Sequence, residues 1–202
     1  MGIRSTVVVC VTSFLLGLAP AGSLFTHWIA DSLTLWKSPV TDEHLWTAAL
    51  YYSILTKGPP VIFYFLAAVV ALGGVTILWS LGDGEAGNLM FDGGSIFLFG
   101  TTVVLYLYSV IPIILAKFST LPTHQLKDPF PGSLRSATLD LASNHLMCSV
   151  ALTGVLILQA GRFWAERSDD TSAAELRREA AELKGRQSRA KTPEVRVASR
   201  PD

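Results

Sequence analysis

Residues 141–161 read LASNHLMCSVALTGVLILQAG. No Asp, Glu, Lys or Arg interrupts this run of 21 residues. The hydrocarbon core of a bilayer is about 30 Å thick, and roughly 20 apolar residues cross it as a helix. Only helices or closed barrels satisfy every backbone group in lipid. A continuous apolar run fits a helix, whereas a barrel strand alternates.

Three further runs share this character. Ser5–Ala30, Gly58–Gly82 and Gly93–Ala116 contain no charged residue. Half of the chain is hydrophobic and only 16% is charged. The expected fold is therefore an all-α membrane protein with four transmembrane helices. Helix 1 is expected over about Ser5–Phe25, helix 2 from Pro59-Pro60 to near Leu81, helix 3 over about Gly93–Ala116, and helix 4 from Leu141 to Arg162. Pro112 predicts a kink near the end of helix 3. Residues 117–140, with Pro122, Pro129 and Pro131, read as an irregular loop.

Between helices 1 and 2, residues 41–57 read TDEHLWTAALYYSILTK. Thr41 suits an N-cap, and Asp42 and Glu43 suit the first turn. Leu45, Ala49 and Tyr52 share a face, and Trp46, Tyr51 and Tyr52 suit a membrane–water boundary. A short interfacial helix is expected there.

The end of the chain changes character. Residues 162–202 hold ten Lys/Arg and eight Asp/Glu. Ser172 and Glu175 predict a capping box for a soluble helix, and the last residues predict disorder. The expected organisation is a membrane domain over 1–168 and a hydrophilic tail over 169–202, part helical and part disordered. Basic residues in the tail place both termini in the cytosol. Ala19-Pro20-Ala21 resembles a signal-peptide cleavage site, but Pro20 disfavours cleavage, so helix 1 is read as an anchor. Cys10 and Cys148 lie in apolar runs and predict no disulfide framework. Nothing in the composition suits nucleic acid.

Ser143, Asn144 and His145 are the conspicuous polar group. Adjacent helix positions point about 100° apart, so Ser143 and His145 do not face each other as nucleophile and base. His145, Ser149, Leu152, Leu156 and Gln159 share a face. Ser143, Asn144, His145, Ser149 and Gln159 are thus candidate contacts, either between helices of the bundle or with a client helix. His27, His44, His124 and His145 fall on the non-cytosolic side but lack metal-site spacing. No catalytic, cofactor-binding or metal-ligating residue is assigned. Gly73-Gly74, Gly100 with Thr101 and Thr102, and Ser149 with Thr153 and Gly154 permit close helix approach. No charge lies deep in any span, which argues against an ion-coupled transporter.

The ordered set TDEHLWTAALYYSILTKGPP, the Gly73-Gly74 pair, LMFDGGSIFLFG and LASNHLMCSVALTGVLILQAGRFWAER resembles the fungal endoplasmic-reticulum packaging chaperones for amino-acid permeases. The resemblance covers about Ser5–Ser168. It implies a chaperone of the endoplasmic-reticulum membrane, not an enzyme, with amino-acid permeases as transient partners. It also implies packaging into COPII vesicles, with coat components meeting the C-terminal tail. Two other classes stay open from the residues alone: a membrane-embedded lipid-modifying or hydrolytic enzyme, and a tetraspan scaffold or channel-associated subunit.

Overall fold

The computed structural model describes residues 22–81 and 88–191, all helices and their connections. Its elements are α1 (Gly22–Leu35), α2 (Asp42–Thr56), α3 (Pro60–Leu81), α4 (Asn88–Leu105) and α5 (Gly132–Lys191). No strand occurs among the described residues. Three helical stretches are long and apolar enough to cross a membrane: Pro60–Trp79, Met90–Phe118 and one within Gly132–Gln187. Most of the expected helix 1 lies outside the described residues.

Several boundaries differ from expectation. Helical structure continues past Phe25 to Leu35, because no breaker intervenes before Pro39. Asp31 thereby joins a helix instead of a loop. In the same way α4 starts at Asn88, not Gly93, and takes in Asp92. The helix expected to stop at Arg162 runs on to Lys191. Residues 163–171 contain neither Gly nor Pro, so nothing ends it. Ser172 is accordingly no cap: its hydroxyl donates to the Ser168 carbonyl inside the helix.

Beyond Leu105 the chain stays helical but changes winding. Tyr106–Val110 and Ile114–Phe118 are π-helical, on either side of Ile111–Ile113. Pro112 has no N–H and cannot return a bond to the preceding turns. The expected kink is therefore a pair of π turns, one of the known responses to a broken ladder.

The described residues form two compact units. Residues 163–191 belong to one, an exposed helix. In the other, up to Arg162, α1 packs on α2, α2 on the Ile114–Phe118 turn, and α3 on α4. α2 caps as expected, with Thr41 Oγ1 accepting from the His44 N–H at 3.4 Å. Leu45, Ala49 and Tyr52 are fully buried, and so are Trp46 and Ala48. Trp46 donates from Nε1 to the Asp128 carbonyl at 2.9 Å and stacks on His124. It thus anchors the loop before α5 from inside the protein.

α5 carries the seam of this unit. Leu134, Ala137, Leu141, His145, Cys148, Leu152, Val155, Gln159 and Arg162 are all buried. Their spacing is three or four throughout, the period of one helix face. The apolar members join two cores. One gathers Ala30, the inner face of α2, Val110 and Phe118. The other gathers Leu24 and Ile77 around Cys148, Leu152 and Val155.

Glycines set the closeness of α4 and α5. A Cβ on Gly154 would stand 2.8 Å from Leu98 Cδ1, and one on Gly161 would stand 3.1 Å from Phe91. Gly100, expected to serve close approach, has nothing within 4 Å of that point. Gly154→Leu should therefore lower stability by about 1–3 kcal/mol through overpacking. Gly154→Ala should cost less, since a terminal methyl can swing aside, and Gly100→Ala should be near neutral. Melting temperatures of the detergent-solubilised variants test this order; a loss at Gly100 equal to that at Gly154→Leu would refute it.

Candidate functional site

Three of the nine seam positions on α5 are polar, and each meets a partner on another helix. His145 Nδ1 donates to Asp31 Oδ2 on α1 at 3.0 Å. The other Asp31 oxygen accepts from the Tyr52 hydroxyl on α2. Burial, and then the Asp31 carboxylate, push the Tyr52 hydroxyl far above its ordinary range, so it stays a donor. His27, one turn before Asp31, stacks on His145 with ring centroids 4.6 Å apart. Its Nδ1 is 2.9 Å from the Tyr51 hydroxyl. One carboxylate thus ties α1, α2 and α5 together.

The second node lies at the other end of the seam. Arg162 Nη1 donates to both oxygens of Asp92 on α4, at 2.9 and 2.8 Å. Each side chain is only 1% exposed. Gln159 Nε2 donates to Ser95 Oγ at 2.9 Å, and Ser95 donates onward to the Phe91 carbonyl. Burial makes such a pair costly to form and far costlier to break, because the survivor is left desolvated without its counter-charge.

The five residues singled out in the sequence therefore separate. His145 and Gln159 point into the fold and bond to other helices. Ser149 is half-buried and returns its hydroxyl to the His145 carbonyl at 2.9 Å. Ser143 and Asn144 are half-buried on a different face, lining an open hollow of about 450 Å³ beside Tyr108 and Pro112. No hydrogen bond joins Ser143 to His145 among the described residues, so the two do not form a nucleophile–base pair. His145 Nε2 is buried without a partner. No group of three His, Cys, Asp or Glu among the described residues could hold a metal ion.

Asp31, Asp92, Ser95 and Arg162 were not singled out from the sequence as contacts, and Tyr52 was read only as a face and boundary residue of its helix. Each carboxylate or guanidinium lies just outside an uncharged run, where a charge ordinarily reads as loop. The available signal was spacing: Arg162 falls three residues after Gln159, and Ser95 three after Asp92, on shared faces.

One family of known proteins fits nearly all of the chain. Residues 1–197 match the family described as SHR3_chaperone, ER membrane protein SH3. A chaperone family agrees with the expectation of no enzymatic role. No curated protein and no solved structure matches the chain.

Proposed function

This chain belongs to the SHR3 chaperone family of ER membrane proteins, and on that premise we propose that its clients are amino-acid permeases on their way out of the endoplasmic reticulum. It is a chaperone of the ER membrane. Its first 168 residues act as a four-span membrane domain, with helix 1 as the fourth span and α2 at the bilayer surface. Residues 169–202 act as a tail that assists packaging by the COPII coat. Both termini face the cytosol.

The observation that carries the client reading is the division of polar residues along α5. His145 and Gln159 are spent on the fold, whereas Ser143 and Asn144 line an open hollow. Transporter spans hold polar groups and broken helices that lack partners until all spans have packed. Interhelical hydrogen bonds in membranes are worth roughly 0.6–2 kcal/mol each. Bonds of that strength can hold a client span and release it once its own helices offer better partners.

Deletion of the protein should strand several tagged permeases in the endoplasmic reticulum while unrelated membrane proteins travel normally. A chain ending near Arg167 should still keep permeases from aggregating but load them poorly into vesicles. Normal permease delivery after deletion would sink the reading. Immediate permease aggregation on truncation would sink the assignment of shielding to the membrane domain.

A further inference from the structure

Between the π-wound turns around Pro112 and the first turns of α5 lie two hollows of about 420 and 450 Å³. They share Pro112, Ile113 and Asp140, so they form one groove. Its α5 wall comprises Ser133, Ser136, Asp140, Ser143, Asn144 and Met147, with the seam residue Ala137 at its edge; apart from the adjacent Ser143 and Asn144, these six follow one another at intervals of three or four. Both walls lie in or beside stretches apolar enough to span a membrane.

Four polar groups of this groove differ from their neighbours, whereas Ser136 donates its hydroxyl to the Ser133 carbonyl at 3.2 Å. Thr138, Ser149 and Thr153 on α5 each return a hydroxyl to a carbonyl four residues back, at 2.8–2.9 Å. Ser109, Asp140, Ser143 and Asn144 have no hydrogen-bond or ion-pair partner among the described residues. Polar groups left unbonded in an apolar medium are costly. Pro112, lacking an N–H, also gives no donor to a carbonyl of the turn before it. The groove therefore holds unused bonding capacity.

We infer that this groove seats one transmembrane segment of a client, bearing a neutral hydrogen-bond donor such as Asn or Gln level with Asp140 and a second polar side chain one turn deeper. The inference rests on the chaperone reading above. Asp140 as a carboxylate only accepts, so its partner must donate. Lys117 lines the same mouth without forming an ion pair with Asp140 and offsets its charge. Selection is then by hydrogen bonding, not by net charge. From Asp140 to Asn144 is one helical turn, about 6 Å of depth. A lipid headgroup could meet Asp140 and Lys117, but its acyl chain offers nothing to Asn144, Ser143 or Ser109. A helix with polar residues four apart offers a bond at both depths.

The test uses the full chain in nanodiscs and synthetic Leu/Ala helices of roughly 20 residues. One helix carries two Asn four apart near one end; the other carries none. The Asn helix should bind about tenfold tighter or more, as two interhelical bonds allow. Asp140→Leu combined with Asn144→Leu should erase that ratio, Ser109→Ala should reduce it about threefold, and Lys117→Gln should leave it. Asp140 is exposed and Asn144 half-buried, so unchanged melting temperatures can be required of every variant. Equal binding of the two helices to the wild-type chain overturns the inference. So does a ratio that survives the double variant, or displacement of the Asn helix by phosphatidylethanolamine bound at the groove. Stranded permeases after deletion, together with equal peptide binding, would leave the chaperone reading standing and remove this seat alone.

Discussion

Arg162→Met leaves the Asp92 carboxylate buried with its bidentate partner gone, and stability should fall by about 3–5 kcal/mol. Asp92→Leu should be comparably damaging, because it takes from a guanidinium that is 1% exposed the carboxylate it grips with two hydrogen bonds. The two changes together should recover most of the loss. Apolar side chains of similar size carry no desolvation cost, and replacement of a whole buried pair is often neutral. Gln159 and Ser95 remain bonded in the double variant, so the α4–α5 contact persists. Thermal unfolding of the purified protein in detergent reads all three. A double variant as unstable as either single one would show that the pair itself holds these helices together.

Asp31→Leu is the second large effect. It removes the acceptor of both the Tyr52 hydroxyl and His145 Nδ1. A buried donor left without its acceptor costs about 1–3 kcal/mol, so two should cost roughly 2–6 kcal/mol. Asp31→Asn should be milder. Its amide oxygen can still accept from Tyr52, and His145 can change tautomer to accept from the amide nitrogen. His145→Asn should likewise be milder than His145→Leu, which leaves Asp31 buried with Tyr52 alone. Permease delivery separates these effects from contact with clients. A defect at Asp31 weakens the chaperone itself and should depress all clients together. Changes at Ser143 and Asn144 should act unequally among clients while melting temperature stays unchanged. Equal, complete loss of delivery in both His145 variants, with the protein still stable, would revive a catalytic role.

The stripe along α5 shows how far pattern reading reaches. His145 and Gln159 share a face by arithmetic alone, and that face is buried as a seam. Whether a polar residue on such a face bonds within the bundle or faces a client is not a property of its own helix. Ser143 and His145 are two residues apart, yet one lines an open groove and the other is enclosed. What separates them is the position of α1 and of the π turns around Pro112. The same limit hid Asp31 and Asp92. Each is a single carboxylate at the margin of an apolar run, and a one-dimensional reading assigns it to the loop.

Sequence alone determined that the chain is helical and membrane-spanning, where α3 begins and ends, and how α2 is capped. These follow from local facts: the length of an uncharged run against the bilayer, a proline at a helix start, a hydroxyl three residues before an N–H. Tertiary structure decided which polar residues are already engaged. His145 meets Asp31 across 114 residues of chain, and Arg162 meets Asp92 across 70. No local preference encodes such meetings, because the free energy of burying a charge depends on what stands opposite it, and only the packed helices supply that.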